Sequence, residues 1–167
     1  MNRMTILTLA AAAMIAAPAL AQQSNTVTVD TPRYEGTHTT ERDRAEGSLT
    51  RETDLTRKGD GATASSDFAR QRTEDGVTRD RSSTDFQGRT ATSHYERERT
   101  ARGWRASGER VQRDGDVITY GARGARTEHG RVTRQTVAIN GDPVAARRVQ
   151  VARGPRGANK RVAVRRR

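Results

Sequence analysis

Cysteine is absent from the 167 residues. Disulfides, zinc–thiolate sites, thiol catalysis and a lipid anchor attached through cysteine are therefore excluded. Aromatic residues are scarce: one Trp, two Phe and three Tyr. Over residues 22–167, Leu, Ile, Val and Phe number 18, well under one position in five. A share below about 20% with high net charge is the composition of disorder, so the placement of the charge matters. Long apolar runs are missing too, except at the N-terminus.

That exception reads MNRMTILTLAAAAMIAAPALA. One cation, Arg3, precedes an uncharged run from Met4 to Ala17, and the box Ala19-Leu20-Ala21 follows Pro18. This is the plan of a secretory signal peptide. The run is shorter than the roughly 20 apolar residues a membrane-spanning helix needs. Residues 1–21 are expected to be removed, leaving Gln22 first, with the protein in the periplasm or secreted. The remainder has the length of one domain.

The formal charge of +11 is unevenly spread. Residues 22–142 hold 21 Lys and Arg against all 20 Asp and Glu. Residues 143–167 hold nine cations and no acid. The body is near neutral, and the tail is a dense cation.

A phrase recurs in the body. Arg72-Thr73-x-x-Gly76 returns as Arg99-Thr100-x-x-Gly103 and as Arg126-Thr127-x-x-Gly130, at one fixed interval. Gly61, Gly88 and Gly115 form a second column with the same spacing. Phe68 and Tyr95 are answered by Ala122, and residues 36–60 form a looser copy. A fixed period marks a repeat architecture. Glu-Asp-Gly, Arg-Asp-Gly and Asn-Gly-Asp are turn chemistry, and the Thr, Val, Ile, Tyr and Phe between them suit strands. The sequence predicts an all-β fold, an antiparallel β-meander of about four hairpin repeats of 25–27 residues. A parallel β-helix ranks second, because it would need an inward column of Val, Ile or Leu.

For the first hairpin, a three-residue loop Glu74-Asp75-Gly76 with a left-handed glycine is expected. It sets Arg70 against Asp80, Phe68 against Ser82 and Ala64 against Phe86. Left-handed glycines are likewise expected at Gly103 and Gly130. One face then carries Ala64, Phe68, Ala91, Tyr95, Ile118, Tyr120 and Ala122, and the other mostly Thr, Ser, Asp, Glu and Gln. Such a sheet could remain one layer, curl, or self-associate.

The stretch TEHGRVTRQT (127–136) resembles the core of the Rhs/YD β-hairpin repeats of bacterial exported proteins. The likeness covers about ten residues per copy, and the Tyr-Asp pair itself is absent. It implies a β-repeat in an exported protein and transfers no site.

The residues offer no catalytic constellation. His38, His94 and His129 lie far apart and read as solvated, and no Ser-His-Asp grouping stands out. Asp114-Gly115-Asp116 and Asn140-Gly141-Asp142 read as turns, not calcium loops. Trp104 reads as packed on the sheet. No enzyme activity, cofactor or metal is expected. The domain plan is a signal peptide (1–21), a linker (22–35), a hairpin domain (36–142) and a basic tail (143–167). The tail reads as disordered, or as two closing strands through Val149, Val151, Val162 and Val164. Its Arg147, Arg148, Arg153, Arg156, Lys160, Arg161, Arg165, Arg166 and Arg167 are the candidate polyanion-binding residues. The polyanions in view are lipopolysaccharide, acidic polysaccharide and extracellular DNA. The competing reading is a largely disordered cationic protein that orders on such a polymer.

Overall fold

The computed structural model describes residues 22–154 and 157–166. Eleven antiparallel strands follow one another in chain order across one sheet. They are β1 (Gln22–Asp30), β2 (Tyr34–Asp43), β3 (Ser48–Arg57), β4 (Thr63–Arg72), β5 (Gly76–Thr84), β6 (Thr90–Thr100), β7 (Gly103–Val111), β8 (Val117–Thr127), β9 (Gly130–Ile139), β10 (Asp142–Gly154) and β11 (Gly157–Arg166). The chain is thus the all-β antiparallel meander that its sequence predicts. Among the described residues substantial contacts join sequence neighbours only, so the sheet is one layer with β1 and β11 as its edges.

The sheet also runs past its expected limits. Residues 22–35, expected as a linker, contain β1, where Val27 and Val29 alternate with Thr. Residues 143–167, read as a disordered tail or closing strands, supply most of β10 and all of β11. Val149 lies opposite Val162 in that last pair.

Strands begin at Thr63, Thr90 and Val117, and again at Gly76, Gly103 and Gly130, so the strand starts keep the spacing of the repeated phrase. That phrase closes the β4–β5, β6–β7 and β8–β9 hairpins. Thr100 pairs with Gly103 and Thr127 with Gly130, while Thr73 N–H donates to the Gly76 carbonyl at 3.1 Å. The loops are therefore two residues long, Glu74-Asp75 in the first case. This corrects the expected three-residue loop. Arg70 lies opposite Arg79 instead of Asp80, and Phe68 opposite Arg81 instead of Ser82. Ala64 pairs with Leu55, and Phe86 sits in the β5–β6 turn. A slip of one residue turns every side chain of a strand to the other face, so the correction decides where the charges go.

The two glycine columns also exchange roles. Gly76 and Gly103 are not left-handed. They are glycines because a Cβ at Gly76 would stand 1.9 Å from the Arg97 carbonyl oxygen on β6, and one at Gly103 2.0 Å from that of Gly124 on β8. Of the three glycines expected to be left-handed only Gly130 has a positive φ, 157°, and the Val151 carbonyl oxygen stands 1.9 Å from where its Cβ would be. All three glycines of the other column are left-handed: Gly61 (φ 70°), Gly88 (φ 75°) and Gly115 (φ 92°). They close the turns on the opposite side of the sheet. In one of these, the Asp85 carboxylate accepts from the Gln87 and Arg89 amides at 2.9 and 3.0 Å. Asn140 and Gly141, both at positive φ, form the two-residue turn that an Asn-Gly pair prefers.

Ala106 is the only buried apolar residue among those described. Aromatic packing on one face replaces a core. Tyr120 reaches across Gly108 and stacks on Tyr95 at 5.9 Å. Tyr34 stacks on Phe86 at 5.5 Å. Guanidinium groups then cover the rings: Arg51 over Phe68 (5.8 Å), Arg57 over Phe86 (5.0 Å), Arg79 over Tyr95 (5.4 Å) and Arg97 over Trp104 (4.6 Å). Each such contact contributes about 0.5–1 kcal/mol at an exposed site.

A candidate anion-binding surface

Charge sign alternates along the strands. Glu96-Arg97-Glu98-Arg99, Arg79-Asp80-Arg81, Glu41-Arg42-Asp43 and Arg51-Glu52 each put acid and base on opposite faces, because strand side chains alternate with period two. The register keeps these alternations in phase from strand to strand. The aromatic face, which holds the predicted apolar set from Ala64 to Ala122, carries no Asp or Glu between β1 and β9. Every acid of those strands lies on the other, threonine-rich face.

Three strand arginines from β1 to β9 break this rule: Arg105, Arg123 and Arg134 lie on the threonine face. Arg105 is opposite Arg123, Arg123 opposite Arg134, and Arg134 opposite Arg148 of β10. The exceptions thus form one row across four adjacent strands, about 4.8 Å apart. The row ends on Glu98 of β6 at one side and Ala163 of β11 at the other. Arg105 Nε donates to Glu98 Oε2 at 2.5 Å. That bond, with a second from Glu96, holds the Glu98 carboxyl below its ordinary range, and it raises the Arg105 guanidinium in turn.

Arg123, Arg134 and Arg148 make no ion pair within 4 Å among the described residues. Like charges directly opposite one another are destabilising, so this row is a standing cost to the sheet. Its flanks are small and neutral, with Ser107, Gly121, Thr136 and Ala146 on one side and Gly103, Ala125, Val132 and Gln150 on the other. A recess of about 520 Å³ runs beside it, lined by the four arginines with Arg102, Trp104, Ala125 and Val132 among others. From β8 to β11 this face has no acidic residue and no aromatic.

The nine tail residues are divided by the same alternation. Arg148, Arg161 and Arg165 join the arginine row's face, whereas Arg147, Lys160 and Arg166 point to the aromatic face. The Arg153 side chain, Arg156 and Arg167 lie outside the described residues. Tail composition alone could not find Arg105, Arg123 and Arg134. The signal that could have done so is the break in period: Arg123 and Arg126, like Arg131 and Arg134, are separated by an odd number of positions and so face opposite ways.

The histidines take ordinary polar partners. His38 Nδ1 lies 2.8 Å from Thr53 Oγ1, and His94 Nδ1 lies 2.6 Å from Asp80 Oδ1. Among the described residues no cluster of three or more His, Asp or Glu is placed to hold a metal ion. No protein-family model, curated protein or solved structure matches the chain.

Proposed function

We propose that this is an exported bacterial envelope protein of structural or binding type, not an enzyme, that holds an anionic polymer on the arginine half of its threonine face. One observation carries the reading: the row Arg105–Arg123–Arg134–Arg148, directly opposed on adjacent strands and flanked by small neutral side chains. A guanidinium fork binds carboxylate, sulfate or phosphate in two-point fashion. A line of such forks suits a linear polymer with closely spaced charges, and bound anions offset the repulsion within the row. The surface favours an acidic polysaccharide over single-stranded nucleic acid, which is held by aromatic platforms for its bases. On this sheet the aromatics sit on the opposite face. Arg161 and Arg165 extend the same cationic surface to the edge strand.

The test is the affinity of residues 22–167 for a linear polyuronate, measured across a salt series. Binding should weaken steeply with salt as counterions are released. Arg123→Gln with Arg134→Gln should weaken it about tenfold and flatten the log–log salt slope by roughly 1 to 2. The sheet's circular dichroism should be kept, because these substitutions remove like-charge repulsion. Ending the chain at Ala146 is a blunter test, since it removes most of β10 and all of β11 along with Arg148, Arg161 and Arg165. Unchanged polyuronate binding by the double variant, or tighter binding to single-stranded DNA of matched charge, would sink the assignment.

Export rests on residues 1–21, which lie outside the described residues. Intact mass of the protein from the cell envelope should correspond to a chain starting at Gln22. A species retaining Met1–Ala21 would contradict it.

A further inference from the structure

The aromatic face and the N-terminal half of the threonine face are left uncovered by the polymer site, and they are opposite in charge. Over β2–β7 the aromatic face carries ten arginines and no acid, among them Arg70, Arg81 and Arg110. The threonine face of the same six strands carries ten carboxylates and one arginine, Arg105, itself tied to Glu98. Within each face the charges have one sign and little to neutralise them. Arg70 Nε is buried without a hydrogen-bond partner. On the other face Glu41, Glu52, Asp67, Asp80 and Glu109 line a trough of about 540 Å³ that crosses β2 to β7.

We infer that a second copy of this chain lays its aromatic, arginine-bearing face on the acidic trough of the first. The two surfaces are opposite in sign and match in number of charges and in extent. Six strands of ten residues present roughly 950 Å² per face, above the roughly 800 Å² per partner of a standard protein interface. Stacked sheets sit about 10 Å apart, within reach of an Arg–carboxylate pair from the two sides. The contact also supplies what the lone sheet lacks, since two packed layers are the ordinary way a sheet buries a face. Because the two surfaces differ, the interface is head-to-tail, and repetition gives an open stack instead of a closed dimer. Three of the four row arginines, Arg123, Arg134 and Arg148, lie on β8–β10, outside the matched area.

Sedimentation velocity of residues 22–167, without polymer, reads this directly. At low salt the weight-average mass should grow with concentration past a dimer, and about 0.5 M salt should return it to a monomer, since the Debye length then falls to a few ångströms. Arg81→Glu with Arg110→Glu should abolish growth, and so should Glu52→Lys with Asp67→Lys in a separate protein. Mixed one to one, the two proteins should co-assemble, because each reversed face then meets its complement. Restored assembly in the mixture also shows that neither variant failed by misfolding. Arg123→Gln with Arg134→Gln should stack as the parent does, which separates this interface from the polymer site. A parent that stays monomeric at low salt overturns the inference, as does assembly by either reversed protein alone or a mixture that stays dispersed. If the parent is monomeric and Arg81→Glu with Arg110→Glu loses polyuronate binding, the occupant of the aromatic face is the polymer.

Discussion

Gly103→Ala should cost about 3 kcal/mol or more and open the sheet between β7 and β8, beyond the usual range for overpacking. The added Cβ would stand 2.0 Å from the Gly124 carbonyl oxygen. Neither partner can move alone, because Gly103 is held by Thr100 across its hairpin and Gly124 by Thr133 on the far side. Forced overpacking usually costs about 1–3 kcal/mol, and here the obstacle is backbone, which a rotamer change cannot clear. Gly115→Ala makes the informative contrast. Gly115 has φ 92° and open space around its Cβ position, so its cost is the local strain of a left-handed residue, about 1–2 kcal/mol. Thermal melts with amide exchange on β7 and β8 would measure both. Equal effects at the two positions would show that turn conformation, not neighbour-strand clearance, is what the repeated phrase protects.

The order of those two costs was not legible in the sequence. Glu-Asp-Gly and Arg-Asp-Gly look alike as turn signals, and both columns recur with one spacing. What separates them is the carbonyl of the next hairpin, a contact between residues such as Gly103 and Gly124 that no local pattern encodes. The strand class and antiparallel order were legible, because Gly-punctuated segments of Thr and Val leave few alternatives. The face holding Phe68, Tyr95 and Tyr120 was legible for the same reason, since period two survives a register error within any single strand. Register was not legible. Pairing Arg70 with Asp80 looks favourable for one hairpin, but it would mix charge on both faces. The actual register puts Arg70 beside Arg79, a local cost that sorts the charge of the whole sheet. In the tail the alternation of Val149, Val151, Val162 and Val164 signals the closing strands, but composition counts the cations without assigning them a side. Alternation divides Arg147 from Arg148 and joins the latter to Arg134.

Sorting charge by face weakens the isolated sheet. The described residues include no fully buried side chain. Cross-strand pairs and ring–guanidinium contacts contribute at most about 1 kcal/mol each, against about 1–2 kcal/mol of backbone entropy per ordered residue. The row from Arg105 to Arg148 adds repulsion. We propose that bound polymer offsets this repulsion and adds to the stability of the sheet.

The measurable consequence is a melting midpoint governed by ligand. At a polyuronate concentration about 100 times its dissociation constant, a polymer that binds only the folded sheet stabilises it by about 2.7 kcal/mol. For a chain of this length that is a rise of roughly 10 °C. The rise should shrink as salt is added, in step with the loss of affinity, and should largely vanish in the Arg123→Gln, Arg134→Gln protein. That protein, with two of four opposed cations removed, should itself melt slightly above the parent when no polymer is present, since the repulsion is relieved. A midpoint that ignores bound polymer would mean that the unfolded chain binds as well as the folded one. The arginines would then act through their number alone, and their alignment across β7–β10 would have no part in recognition.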